Sequence, residues 1–253
     1  MAARAWILAI GFAALAVAGP ALADPRLDEK VYSPYIQNHV LELETSWGQE
    51  FGSGDRQGDR TFVEEIEAGL NDRVSLALVG QDQRAPGEAE RLTGVGLEGI
   101  VYLGQIPGVG VDAGLYLEYQ KGRSGDGDAG EAKLLLAKTS GRFQGLFNVI
   151  VERPFAAPAG EEFATYGYAA SATWRTVGNL RLGAEAFGDL GDDHAFLRGP
   201  QGAYVGPQVK WEGQPGFLPV EVDIDAGFLF AVGTDRREAA SQARVNIEFE
   251  HRF

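Results

Sequence analysis

The last eleven residues constrain this chain more than any other stretch. Ala243, Val245, Ile247, Phe249, His251 and Phe253 share one parity, and Arg244, Asn246, Glu248, Glu250 and Arg252 share the other. Strict period-two alternation marks a strand with one apolar and one wet face. Ending such a strand on an aromatic suits a closed antiparallel barrel, with its outer face in lipid and its inner face on a watery lumen. The rest of the chain has to be consistent with that closure.

The opposite end agrees. Met1 to Ala23 carries a basic Arg4, an apolar run from Trp6 to Ala18, a Gly19-Pro20 break and the small-x-small triplet Ala21-Leu22-Ala23. This is the pattern of a cleaved export signal. Its apolar run is shorter than the roughly 20 residues that a helical span needs. Removing residues 1–23 takes Arg4 away and moves the formal net charge from −14 to −15. The expected organisation is then a signal peptide over 1–23, a periplasmic N-terminal segment over 24–37 and a barrel over 38–253.

Composition removes several classes. With 0 Cys there are no disulfides, thiolate metal sites or cysteine nucleophiles. A mean hydropathy of −0.14 and the lack of a second long apolar run exclude a helical membrane protein. An acidic chain without a basic stripe argues against a nucleic-acid partner and against peripheral attachment to anionic lipid. No Pro/Ser/Gly linker divides the chain into domains.

Alternating segments fall near residues 38–49, 60–70, 73–84, 91–105, 109–121, 130–140, 142–152, 162–176, 179–189, 201–212, 219–231 and 240–253, which predicts twelve strands. The joints after even strands are short, as at Asn71-Asp72, Ser140-Gly141 and Val177-Gly178. Those after odd strands are longer and polar, as at 51–59, 83–90, 122–129, 154–161, 191–200 and 233–240. Short turns on one rim and long loops on the other are the asymmetry of a transmembrane barrel, with the short turns in the periplasm. An even strand count returns both termini to that rim.

Aromatics fall where two interfacial girdles require them. Trp47, Tyr119 and Phe230 stand at the outer ends of odd strands, and Trp174, Trp211 and Phe253 at the inner ends of even ones. A soluble β-sandwich also alternates, but it explains neither the girdles, the terminal aromatic nor the loop asymmetry.

On these features the mature chain resembles small bacterial outer-membrane β-barrel proteins. The segment NIEFEHRF (246–253) is similar to the C-terminal signal by which such proteins are recognised for insertion, with Phe249 and Phe253 as its anchors. The opening VYSPYIQNHVLELE (31–44) resembles the start of a group of proteobacterial outer-membrane proteins without an assigned biochemical role. The resemblance implies outer-membrane lipid, lipopolysaccharide and the barrel-assembly machinery as partners.

Function should show on the inward parity. Alternation turns inward Glu42, Glu44, Glu65, Glu67, Glu98, Asp112, Glu118, Glu185, Asp189, Glu221, Asp223, Asp225, Glu248 and Glu250, against the bases Lys133, Arg181, Lys210, Arg244 and Arg252. Closure makes strands 11, 12, 1 and 2 neighbours. The acids Glu42, Glu44, Glu65, Glu67, Glu221, Asp223, Asp225, Glu248 and Glu250 are therefore expected to form one negative wall. Such a wall suits a passive channel or transporter for small cationic or neutral solutes. The competing reading is a plugged structural or adhesive barrel, because barrels of eight strands are filled by side chains, those of sixteen are open, and twelve lies between.

Other motifs carry less. GVGLEG (94–99) has dinucleotide-loop spacing, but it continues as a strand where a helix should begin, so no cofactor is expected. Two loop clusters hold acids, one with Asp126, Asp128 and Glu131 and the other with Asp189, Asp192, Asp193 and His194. Both lack the spacing of a calcium loop and read as solvated loops, so no metal is assigned. A lipid-modifying enzyme would need a serine beside His39, His194 or His251, and no segment supplies that arrangement plainly. No catalytic residue is assigned.

Overall fold

A computed structural model describes Leu27 and residues 29–155, 163–198, 202–216 and 219–253; the expected signal peptide lies outside the described residues. Twelve strands form the molecule: β1 (Val40–Phe51), β2 (Arg60–Asn71), β3 (Val74–Arg84), β4 (Arg91–Ile106), β5 (Val111–Gly122), β6 (Ala129–Ser140), β7 (Phe143–Pro154), β8 (Thr165–Arg175), β9 (Leu180–Asp192), β10 (Gly202–Gly213), β11 (Glu221–Gly233) and β12 (Ser241–Arg252). Each strand pairs antiparallel with its neighbours in sequence, and β1 pairs with β12, so the sheet closes on itself. The seam runs from Val40 opposite Arg252 to Phe51 opposite Ser241. The short and long joints fall on opposite rims, as the turn residues required. One feature the alternation did not mark is a 3-10 turn at Thr234–Arg237 in the last long loop.

Burial is inverted relative to a soluble protein. Leu78 is 66% exposed and Ile66 53%, whereas Glu50 is 0% and Tyr116 1%. Large apolar side chains outside and charged ones inside are what a lipid-facing barrel requires, and a sandwich core cannot be built that way. The chain is a closed, twelve-stranded, antiparallel transmembrane β-barrel. Tyr119 stacks on Phe155, and Phe228 lies against Phe51 and Phe230, at the long-loop rim. Trp174 is paired with Phe143 toward the short-turn rim.

Residues 29–37, read from the sequence as a periplasmic segment, instead run inside the barrel. Val31 packs against Ile150, Ala169, Phe187, Tyr204, Leu229 and Ala231, and Tyr32 and Ile36 pack against Ile100, Tyr116 and Leu135. These apolar side chains have no place in water, and the lumen gives them the one enclosed surface within reach. Two inward glycines make room. A Cβ at Gly48 would lie 2.5 Å from the Leu27 carbonyl oxygen, and one at Gly69 would lie 1.9 Å from that of Gln37. The chain turns into β1 at His39, whose amide donates to the Gly69 carbonyl at 3.0 Å and whose carbonyl accepts from the Phe253 amide at 3.0 Å.

Candidate functional site

Register assembles the acidic wall. Glu67, Glu42, Glu250 and Glu221 stand directly opposite one another across β2, β1, β12 and β11, and Glu65, Glu44, Glu248 and Asp223 form the next row. Asp225 lies one step further, opposite Asn246 and Lys210. All nine expected wall acids are thus neighbours, with Glu221 exposed at the short-turn rim.

The first row does not stop at β2. Glu67 faces Ala77, Ala77 faces Glu98, and Glu98, Glu118, Glu131 and Glu152 then follow opposite one another through β4, β5, β6 and β7. Barrel strands tilt and are staggered, so a row perpendicular to them climbs as it goes round. Glu221 begins β11 at the short-turn rim, and Glu152 lies near the end of β7 at the long-loop rim. Carboxylates therefore wind from one mouth of the barrel to the other, interrupted once by Ala77. The sequence reading included Glu98 and Glu118 as isolated inward acids, assigned Glu131 to a loop and omitted Glu152. Alternation sets which face a residue takes, but the stagger that joins the strands is a property of closure.

The N-terminal segment divides this lumen. A cavity of about 360 Å³ is lined by Glu42, Glu44, Glu67, Asp223, Glu248 and Glu250, among others, and a smaller one of about 90 Å³ by Glu98, Glu118, Glu131 and Glu152. Glu29 and Tyr32 line both. The segment is held by paired polar groups. Asn148 accepts from the Tyr32 amide at 2.8 Å and donates to the Tyr32 carbonyl at 3.0 Å. Lys133, 3% exposed, reaches Glu29 at 2.6 Å and Glu131 at 2.9 Å, and lies 4.2 Å from the Tyr32 ring centroid and 4.5 Å from that of Tyr116.

Lys30 bonds Glu44 and lies 3.2 Å from Glu65. Burial works against its ammonium, and the carboxylates of Glu44 and Glu65 outweigh it, holding its pKa well above the ordinary 10.5. Its contribution to docking is complete below that ordinary value and is lost only as the pH rises through the higher docked value. Further along, Gln37 donates to Glu250 at 2.6 Å, and the Tyr35 hydroxyl donates to Asp112 at 2.9 Å. Burial and the Asp112 carboxylate push the Tyr35 hydroxyl up to about 12.

Of the inward bases, Lys210 pairs with Asp225 at 2.7 Å, Arg181 lies 3.8 Å from Glu212, and Arg244 stacks 3.9 Å from the Phe187 ring centroid. Arg252 donates weakly to Gln37 at 3.4 Å. Lys30 was missed as a lumen base because residues 24–37 were placed outside. The apolar residues of that segment were the available signal.

The remaining motifs have structural partners. GVGLEG lies wholly within β4. Asp128 accepts from Tyr119 at 2.8 Å, Lys121 at 2.7 Å and the Gly122 amide at 3.2 Å, and Asp126 pairs with Arg91. Asp193 accepts from the Tyr166 hydroxyl at 2.7 Å and the Ala164 amide at 2.9 Å, which hold it below the ordinary carboxylate range. His39 meets Phe253 edge-on, His194 meets Phe163, and His251 is exposed opposite Leu41. Phe249, outward, sits between Leu43 and Val222.

No protein-family model and no curated protein sequence matches the chain. Solved structures do. The COG4313 outer membrane channel from Pseudomonas putida F1 aligns over 86% of this chain and 97% of its own, with a TM-score of 0.56 at 9% identity. OprD of Pseudomonas aeruginosa aligns over 84% of this chain and 66% of its own at TM-score 0.40 and 10% identity. The outer membrane channel DcaP of Acinetobacter baumannii aligns over 84% and 96% at TM-score 0.34 and 8% identity. Only the first is close enough to compare in architecture, and it shares the barrel fold.

Proposed function

We propose that this protein is an outer-membrane channel that passes small cationic or neutral solutes along the winding carboxylate row, with the N-terminal segment narrowing the path between the two cavities. The observation that carries this reading is the row itself, which connects both mouths and borders both cavities. Like charges placed directly opposite across strands are unfavourable, and burying them dry is more so. Water and mobile cations relieve both penalties, so the row is best explained by a wet path. The COG4313 outer membrane channel, whose barrel architecture this chain shares, supports the reading in general, and the acid row supplies the ion preference.

Planar-bilayer recording under a salt gradient tests it. The reversal potential should show cation preference, and Glu42→Gln, Glu67→Gln and Glu250→Gln together should reduce that preference while leaving the barrel folded. Unchanged selectivity in the triple variant would remove the row from the path. The paired polar groups on residues 29–37 favour a second reading, a barrel closed by its own segment. In that case the full chain is silent and only a variant lacking residues 29–37 conducts.

The same proposal includes export with cleavage after Ala23, which N-terminal sequencing of outer-membrane material should show as a chain beginning at Asp24. It also includes recognition of Phe249 and Phe253 by the assembly machinery, and contact of the long loops with lipopolysaccharide. Deleting Phe253, or replacing Phe249 with Asp, should lower the inserted fraction, read from the heat-dependent gel shift of membrane fractions. Because Phe253 lies at the rim with its ring against His39, its deletion should slow insertion more than it destabilises the finished barrel. Normal insertion rates for both variants would assign recognition elsewhere.

A further inference from the structure

The geometry points to a clamp for a lipid phosphate of the outer leaflet, formed by Arg60 and Arg84 on the outer wall of the barrel at the long-loop rim. The inference rests on the outer-membrane location and stands whether or not the lumen conducts. Arg60 opens β2, Arg84 closes β3, and the two stand directly opposite each other. They share the parity of the exposed Ile66, Leu76 and Leu78, so both side chains leave the barrel on its outer face. Cβ atoms of directly opposite residues lie about 4.5–5.5 Å apart, and like charges held there repel.

The chain itself does not relieve that repulsion. Among the described residues neither guanidinium has an ion pair or a hydrogen bond, and the Nε of each is buried without a partner. Other bases near this rim are paired: Arg56 lies 3.1 Å from Asp59, Lys121 lies 2.7 Å from Asp128, and Arg91 bonds Asp126. Asp82 shares the outer face, but it lies two residues nearer the middle of the barrel, opposite Phe62, and pairs with neither arginine. A buried N–H without an acceptor is costly. An anion from outside the chain removes that cost and the repulsion together.

Two guanidinium forks select phosphate. A carboxylate has two oxygens, which one fork occupies, whereas a phosphate group has oxygens for two forks at once. Position selects the source. Phe62, two residues from Arg60 on the same face, stands opposite Trp47 of β1, and aromatic rings there mark the level of the lipid headgroups. Arg60 and Arg84 lie one step beyond these rings, outside the lumen, where the ligand within reach is the phosphate of a lipopolysaccharide molecule packed against the wall.

The folded barrel in detergent, titrated with lipid A and read by native mass spectrometry, tests the clamp. Lipid A should bind more tightly than its dephosphorylated form, and inorganic phosphate at equal concentration should not displace it. Arg60→Gln and Arg84→Gln should each weaken lipid A binding by about tenfold or more while keeping the heat-dependent gel shift. Lys121→Gln, at the same rim, should bind as the parent does. Equal affinity for the two forms of the lipid, or parental affinity in both R60Q and R84Q, would overturn the clamp. Displacement by inorganic phosphate would overturn its assignment to a lipid, and an equal loss in K121Q would reduce it to general surface charge. The readout is bound lipid and not current, so a barrel that is silent in planar bilayers defeats the channel reading without touching this one.

Discussion

Lys133→Met should unseat the N-terminal segment. Lys133 is enclosed by Glu29, Glu131 and the rings of Tyr32 and Tyr116, so its removal leaves two carboxylates without their shared cation and the rings without their charge. Breaking a buried pair from one side costs about 3–5 kcal/mol, a shift of roughly 10²–10⁴ in the docked-to-free ratio. Undocking exposes the Lys30–Val31 bond, so trypsin cleavage at that bond should accelerate accordingly, because proteolysis follows the open population when opening is fast. Adding Glu29→Gln should restore part of the loss, since the stranded carboxylate is then neutral. Asn148→Leu, which strips both hydrogen bonds from the Tyr32 backbone, should act in the same direction by about 1–3 kcal/mol. Cleavage no faster in K133M than in the parent would mean that the segment is held by apolar packing alone.

Much of this architecture was legible in the sequence because a barrel imposes local rules. Alternation in 240–253 put Phe249 outside and Glu248 and Glu250 inside, and the structure keeps them there. Turn residues such as Ser140-Gly141 distinguished the short rim from the long one, since Gly141 takes φ +61°, which a tight turn uses freely. The acidic wall was legible too, because closure makes β12 adjoin β1 and because these strands carry their acids on the inward parity. What alternation could not supply was position along the barrel axis. Glu131 and Glu152 join the row through cross-strand register, which depends on stagger summed over several strands. The path of residues 29–37 was hidden for a different reason. The segment has no period, and only its apolar content, Val31, Tyr32 and Ile36, indicated that it needed a surface to cover.

Leu78→Arg should separate a lipid-facing wall from a merely exposed one. Leu78 sits mid-strand on β3, opposite Ile66 on β2 and Leu97 on β4, all three exposed and apolar. On a soluble protein, a charge at so exposed a position changes stability by no more than about 0.5 kcal/mol. On the outer face of a barrel near mid-bilayer it costs about 2–4 kcal/mol, which should appear as a lower unfolding midpoint in lipid vesicles and a smaller inserted fraction. Val79, one residue on, turns inward to the cavity wall beside Glu65. Val79→Arg should therefore insert normally and instead reduce cation selectivity by pairing with the acids there. The two substitutions differ by one position and should fail in different assays, one in assembly and the other in conduction. Equal tolerance of arginine at both positions would contradict the period-two division between lipid and lumen on which the rest of the reading depends.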